Sequence, residues 1–530
     1  MGSYLNPGSE PFQMNLRSNI YVDKSGLISY TNAALSTQQR FICVSRPRRF
    51  GKSMAADMLA AYYARGEDSA ALFQGLKISK DPSFEAHLNQ YDVIKLNMQE
   101  FLSITRSVDE MLERLKRFLI MELTDHFSNV RYLDATDFIQ VMRDVYAATK
   151  RPFVILIDEW DCLFREYRDN TQAQRKYLDF LRVWLKDQAY VALAYMTGIL
   201  PIKKYGTHSA LNMFWEYSMT DPGGLTEYFG FTEGEVRALC DRFEMSFEEA
   251  KAWYDGYRFR LPQSGPEAKL SMYSPKSVVE AMLRRNFGTY WNRTETYEAL
   301  KVYIQMNHDG LKDAVIKMLA GGQAPVDISG FTNDMSTFHS ADDVLTLLIH
   351  LGYLTYDEVE RTVSIPNKEV SAEYVTAIKR TEGWDEVVRS VERSRQLLED
   401  LWAMDAQAVA EGIDLAHQEV SILQYNDENA LSYTINLAFY AAREYYTVVR
   451  ELPAGKGFAD ICLIPRKLHA DKPAVVIELK WDRSAKGAIA QIKRRQYVAA
   501  LADYRGNLLL ADINYDRDRK THECVIEKIE

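Results

Sequence analysis

The sequence predicts an α/β protein of several domains, and three stretches carry that prediction. Residues 40–59 run as a short apolar strand, a basic loop closing on Gly51-Lys52-Ser53, and a helix. Pro152 to Glu159 is an apolar strand that ends in two acids. Near the C-terminus, one apolar run begins at Asp460 and another ends in Glu478-Leu479-Lys480. At 530 residues the chain exceeds what a single core serves, so two to four domains are expected.

In the first stretch, Arg40-Phe41-Ile42-Cys43-Val44 reads as a strand, Ser45 to Ser53 as a loop and Met54 to Leu59 as the following helix. A phosphate-binding P-loop needs that order, because backbone amides and a helix N-terminus must face the phosphates. Lys52 then reaches the β and γ phosphates of ATP, and Ser53 binds Mg²⁺. Arg46 stands where the usual motif begins with glycine, so Pro47 and its neighbours must set the turn. The candidate nucleotide-binding set is Arg46, Pro47, Arg48, Arg49, Phe50, Gly51, Lys52 and Ser53.

The strand from Pro152 places Asp158 to hold the Mg²⁺ and Glu159 to polarise the attacking water. Val191 to Met196 reads as another strand, with Thr197 at its end. That hydroxyl is either a polar sensor near the γ-phosphate or a group satisfying strand-end backbone. Arg48, Arg49, Lys203 and Lys204 are candidates for phosphate or trans-subunit contacts.

These motifs resemble those of an AAA-ATPase-like domain that occurs widely in bacteria fused to a nuclease. The matching text is Tyr21-Val22-Asp23-Lys24, the loop from Arg46 to Ser53, Ile157 to Asp161, Thr197-Gly198 with Leu211-Asn212, and Trp253 to Tyr257. In that family an arginine-rich loop is usual, so Arg46 departs from the general P-loop rather than from these relatives. The resemblance alone implies that Asp23 and Lys24 approach the base or ribose. The aromatic cluster from Trp253 to Phe259 reads as core of a helical lid rather than as a stacking platform.

The expected organisation is an AAA-like P-loop domain over 1–225, a helical lid and linker over 226–335, a winged-helix-like and helical connector over 336–410, and a C-terminal α/β domain over 411–530. Within the connector, Ala341 to His350 is amphipathic, and Gly352–Tyr356 with Thr362–Pro366 reads as a hairpin. Its charges are acidic (Asp342, Asp343, Asp357, Glu358, Glu360), which suits joining domains rather than binding DNA.

In the C-terminal domain, Val475 to Lys480 is β-branched and bounded by Lys472-Pro473, hence a strand. Alternation puts Val476, Glu478 and Lys480 on one face and Val475, Ile477 and Leu479 on the other. Pairing with the strand from Asp460 to Ile464 brings Asp460 alongside Glu478. Two such carboxylates call for a cation between them, and oxygen ligands suit Mg²⁺ or Mn²⁺, with the Leu479 carbonyl as a third donor. Lys480 then orients water or neutralises developing charge, which is phosphodiester hydrolysis.

The flanks resemble the PD-(D/E)XK nuclease superfamily over residues 428–497: Glu428 to Tyr433, Arg450 to Pro453, Gly455 to Asp460, Ile477 to Lys480, Ala490 to Lys493, and Tyr497. The resemblance places Asp460, Glu478 and Lys480 on metal and catalytic positions and makes Glu428 an auxiliary acid, a role that competes with a plain helix-start carboxylate. A helix capped by Ser484 and running to Asp503 carries Lys486, Gln491, Lys493, Arg494 and Arg495. Gln491 is its candidate polar contributor to the site, and the cations suit a phosphate backbone.

A composition of 47% hydrophobic and 26% charged residues is that of an ordinary globular protein. No apolar run approaches 18 residues and no signal-peptide pattern opens the chain, so a cytoplasmic protein without a membrane partner is expected. Five scattered cysteines point to buried thiols rather than zinc or disulfides. A net charge of −10 confines any nucleic-acid contact to local patches. The combined expectation is an ATP-binding and ATP-hydrolysing switch with a Mg²⁺-dependent nuclease, acting on DNA in preference to RNA and able to form a homo-oligomer. A role in defence or mobile-element control suits the architecture. The alternative is a non-enzymatic, ATP-switched signalling or scaffold protein whose nuclease-like domain only binds, and a further one is an ATPase acting on protein partners.

Overall fold

The computed structural model describes residues 2–202, 204–205, 208–209, 211–260, 269–291, 297–306, 308, 310–331, 338–419, 428–454, 457–466, 469–481, 504 and 506–529. The chain forms two compact units, one from residues 1–243, 256–284 and 326–361, the other from 244–255, 285–325 and 362–530. The units interleave along the sequence.

The first unit is built on a five-stranded sheet. Its strands are β1 (Phe41–Ser45), β2 (Asp92–Asn97), β3 (Phe153–Asp158), β4 (Val191–Gly198) and β5 (Trp215–Tyr217), in the order β2-β3-β4-β1-β5, all parallel. Every residue of β1, β3 and β4 is buried, which is why these strands read as unbroken apolar runs rather than alternating ones. Helix α1 (Lys52–Tyr63) lays Ala55, Met58 and Leu59 on one sheet face against Ile42, Val44, Val154 and Leu156. Because β4 lies between β1 and β3, its C-terminal end stands between the basic loop and the acidic strand end. Ligands of open parallel sheets bind at such carboxyl ends.

The middle of the chain is mainly helical. The expected helix over Ala341–His350 forms, capped by Ser340, and all residues from Val344 to His350 are buried. Short strands form at Thr355–Asp357 and Thr362–Ser364, the latter pairing with Ala324–Pro325.

The second unit ends in a mixed five-stranded sheet of β6 (Tyr446–Ala454), β7 (Gly457–Pro465), β8 (Ala474–Trp481), β9 (Leu508–Asp516) and β10 (Thr521–Ile529), in sequential order. All its pairs are antiparallel except β8 with β9. One face carries Ile461, Val475, Ile477, Leu479 and Ile513, packed on Leu398, Leu401, Ile413, Leu431 and Ile435 of three helices. Those helices are Asp385–Trp402, Ala406–Glu419 and Glu428–Ala438. Cys462, Val476 and Leu510 pack on the opposite face. The strand phasing expected for Val475–Lys480 is therefore the one observed. Cys43, Cys162, Cys240 and Cys462 are buried free thiols, and Cys524 is half-buried. Among the described residues, no helix is long and apolar enough to cross a membrane.

Candidate functional sites

β1 ends with Ser45 Oγ donating to Leu200 O at 2.9 Å and Arg46 N donating to Gly198 O at 3.0 Å, so the loop leaves the sheet beside the end of β4. The turn that glycine usually supplies is made by Arg49 (φ 67°) and Gly51 (φ 90°). A Cβ on Gly51 would meet nothing within 4 Å, so it is the left-handed backbone that requires glycine there. Gly51 caps α1 without a side-chain bond, which leaves the first-turn amides to a ligand.

Lys52 is buried, and its Nζ donates to the carbonyls of Arg46 and Pro47, each at 3.0 Å. Burial lowers its pKa, while Glu159, Asp158 and Asp161 pull it back up. Asp158 is gripped from both sides: Ser53 Oγ donates to Oδ2 at 2.6 Å, and Thr197 Oγ1 donates to Oδ1. Glu159, in a left-handed conformation (φ 53°), pairs with Arg165, and burial raises its pKa. Arg165 also reaches Asp161 at 3.4 Å, whose Oδ2 accepts the amides of Ile199 and Leu200.

A cavity of about 730 Å³ opens from this cluster. Arg48, Arg49, Lys52 and Ser53 line its polar end, and Phe12, Ile20, Tyr21, Met58, Tyr228 and Phe231 line the rest. A polyanion carrying a flat heterocycle matches that division.

In the second unit, β7 and β8 pair as far as Ile461 with Ile477, and the next residues along each strand are Asp460 and Glu478. Leu479 N donates to Asp460 Oδ2 at 2.7 Å, so this carboxylate is fixed to the neighbouring strand by its own side chain. Lys480 shares the face of Glu478, and its Nζ lies 3.1 Å from Oδ2 of Asp512 on β9. Asp512 is 0% exposed, burial raises its pKa against the pull of Lys480, and among the described residues its buried Oδ1 has no hydrogen-bond partner.

Two family models match the chain at these places. Residues 10–207 match a predicted AAA-ATPase family, and residues 427–524 match the PD-(D/E)XK nuclease superfamily. The chain joins a predicted AAA-ATPase domain to a PD-(D/E)XK nuclease-superfamily domain.

One curated relative is an uncharacterized protein in the vnfD 5′ region of Azotobacter chroococcum mcd 1, 25% identical over 372 residues. The alignment covers 66% of this chain and 65% of that protein, so the chain spans less than two thirds of the relative it matches. Among solved structures, Cdc6p from Pyrobaculum aerophilum is 10% identical with a TM-score of 0.24, covering 70% of this chain and 98% of that one. The Aeropyrum pernix ORC2 protein, in ADPNP-ADP complexes, is 9% identical with a TM-score of 0.31, covering 70% and 96%. The fold assignment rests on sheet order and the family models, not on these two likenesses.

Domains of the AAA-ATPase and PD-(D/E)XK kinds use ATP and divalent metals. In the ATPase domain, the structure brings Lys52, Ser53, Asp158, Glu159 and Thr197 together. Arg46 is a correction to the expected set. Its guanidinium is buried between Phe229 and Phe259, donates to Ser45 O and Tyr217 O, and has its pKa pushed down to about 10 by burial. Only its carbonyl faces the loop, where it receives Lys52. Pro47 likewise acts through its carbonyl. Phe50 is buried and lines the cavity. Asp23 caps Ser25 N and takes Lys77 N, a loop-fixing role, whereas Lys24 lines the cavity while paired to Glu235 at 2.7 Å. Lys203 lies outside the described residues, as does the side chain of Lys204.

In the PD-(D/E)XK domain, Asp460, Glu478 and Lys480 assemble. Glu428 begins the helix Glu428–Ala438, which packs on the opposite sheet face through Leu431 and Ile435; its side chain is outside the described residues. Gln491 and the helix expected after Ser484 also lie outside them. Among the described residues, no group of three His, Cys, Asp or Glu is arranged to hold a metal. Two carboxylates and the Leu479 carbonyl fit instead the hard-oxygen set of Mg²⁺, which takes one or two carboxylates and leaves the rest to water and phosphate. Sequence reasoning missed Asp512 and Arg165. Asp512 sits mid-strand in Leu508–Asp516, an acid inside an apolar run, which is the signal that marks it.

Proposed function

We propose that the chain binds and hydrolyses ATP, and that its PD-(D/E)XK domain cuts DNA in a Mg²⁺-dependent reaction, with nucleotide state controlling access to or assembly of the nuclease site. What supports this most directly is that both sets of chemistry-bearing residues are held ready by neighbours: Asp158 by Ser53 and Thr197, and Lys480 by Asp512.

In the ATPase domain, the amides at the start of α1 and the Lys52 ammonium bind phosphates, and Ser53 with Asp158 holds Mg²⁺. Glu159 accepts a proton from the attacking water once Arg165 releases it. Burial raises its pKa above the ordinary carboxylate value, which makes it a stronger proton acceptor. In the nuclease domain, Asp460, Glu478 and the Leu479 carbonyl hold the cation, with Mn²⁺ able to replace Mg²⁺. A bound divalent cation polarises the scissile phosphate and lowers the pKa of water. Lys480, fixed by Asp512, presents its ammonium to the phosphate oxygens. The protein works in the cytoplasm, as a homo-oligomer, in defence against or control of mobile DNA.

The deciding experiment incubates purified protein with DNA and RNA panels, Mg²⁺ and ATP, beside Lys52→Ala and Asp460→Ala. Cleavage of DNA that depends on ATP and disappears in both variants supports the proposal. Cleavage by Asp460→Ala at the wild-type rate overturns the assigned nuclease site. No cleavage above the Asp460→Ala level, with ATP turnover intact, favours the non-enzymatic switch.

A further inference from the structure

A second cavity, of about 470 Å³, lies within the second unit, and its lining residue Arg466 follows the far end of β7 from Asp460. Met245, Trp253, Phe287, Lys368, Arg466 and His469 are among its lining residues. Nothing in the ATPase or nuclease chemistry uses it.

Its two inner cations are in an unfavourable state. Lys368 has its pKa pushed down to about 7, first by burial and then by repulsion from Arg466. Its ammonium lies over the face of Trp253, 4.3 Å from the ring centre. It is also the first residue of the helix Lys368–Ile378, capped by Asn367, where the helix dipole opposes a positive charge. Arg466 is 92% buried by its 8% exposure, and it spends its Nε on the carbonyl of Tyr446 at 3.2 Å. Among the described residues, neither cation forms an ion pair with a carboxylate. Glu249 and Glu444 also line the cavity and attract Lys368 from a distance, but Glu444 is taken by Arg395 at 2.7 Å. Holding a half-buried and a buried cation near each other with no carboxylate between them costs stability unless something neutralises them. A dianion between them would offset the repulsion, the burial and the helix-dipole penalty at once.

The shape narrows the anion. The volume is much larger than inorganic phosphate fills and falls in the range of small-molecule sites. Trp253 and Phe287 give it aromatic walls, which suit a flat heterocycle. The Glu249 carboxylate supplies an acceptor for an amine on such a ring. We propose that this cavity binds a free mononucleotide, its phosphate monoester held by Lys368 and Arg466 and its base lodged against Trp253 and Phe287.

The test is competitive acetylation of the full chain, with each lysine read by peptide mass spectrometry, using AMP, adenosine and inorganic phosphate as probes at millimolar concentration. Lys52 is read in the same digest, which separates this cavity from the P-loop. AMP is expected to protect Lys368 whether or not Lys52 is protected, with adenosine giving none and phosphate much less. Arg466→Gln is expected to raise the half-protecting AMP concentration by at least about tenfold, the loss of a charged hydrogen bond. Trp253→Leu is expected to weaken AMP and leave phosphate unchanged, and it serves if Arg466→Gln does not fold. Equal protection by phosphate and AMP overturns the nucleotide assignment, and so does protection by none of the three.

Discussion

Lys480 reaches across one strand to Asp512, its Nζ 3.1 Å from Oδ2 of a carboxylate with no exposed surface. The parallel register of β8 and β9 sets Glu478 beside Asp512 and Lys480 beside Asn514, so the lysine leans back along the sheet to its partner. Asp512 touches no substrate in the proposed reaction and acts by positioning Lys480. Asp512→Asn should therefore lower cleavage by about tenfold to a hundredfold, the usual loss when a supporting hydrogen bond is removed. Combining it with Lys480→Ala should add little to Lys480→Ala alone. Fully multiplicative losses in a cleavage assay would show that the two residues act independently.

The metal prediction concerns binding as well as turnover. Asp460→Asn and Glu478→Gln should each remove heat of Mn²⁺ or Mg²⁺ binding at this site in calorimetry and abolish chelator-sensitive cleavage. Both variants should keep ATP turnover. Unchanged metal binding in the double variant would place the ion elsewhere.

Glu159 and Lys52 divide binding from chemistry. Glu159→Gln should retain ATP and lose at least about a hundredfold in hydrolysis, the scale of a lost general base. Lys52→Ala should lose both, because the ammonium contacts phosphate in the ground state and in the transition state. Filter binding and phosphate release measured on the same preparations distinguish the two patterns.

Arg165 bridges Glu159 and the wholly buried Asp161, 3.4 Å from the latter. Removing it leaves two acids close together in a buried setting. Arg165→Ala should destabilise the protein by about 3 kcal/mol, the lower end of the range for a broken buried pair. A denaturant midpoint equal to wild type would contradict this.

His350 gives the pH dependence a definite sign. Burial, with Arg46 as a smaller influence, pushes its pKa from 6.5 down to about 3. The unfolded chain takes up a proton below pH 6.5 and the folded one does not, so stability is present above 6.5 and is lost as pH falls toward 3. His417, pushed down to about 4 by burial and by His522, acts in the same direction. Replacing His350 with Leu should flatten the loss of stability between pH 6.5 and 4 by up to about 1.4 kcal/mol per pH unit. Urea midpoints across that range, compared as slopes, check it.

The sequence by itself determined the strands that carry chemistry, because local rules fix them. Fully buried parallel strands must be apolar throughout, which exposed Phe41–Ser45 and Phe153–Asp158. Strict alternation put Glu478 and Lys480 on one face of Val475–Lys480. The Gly51-Lys52-Ser53 run announced itself through the strand–loop–helix order around it.

Tertiary structure alone decided which polar groups meet. Thr197 joins Asp158 because β4 is inserted between β1 and β3, an order no local pattern encodes. Arg46 turns inward because Phe229, Phe259 and the Tyr217 carbonyl, about two hundred residues downstream, form its socket. Asp512 becomes Lys480's partner only through a parallel pairing across 32 residues. Propensity and alternation act over a few residues, whereas these contacts depend on which strands lie side by side, and that is set by packing of the whole sheet.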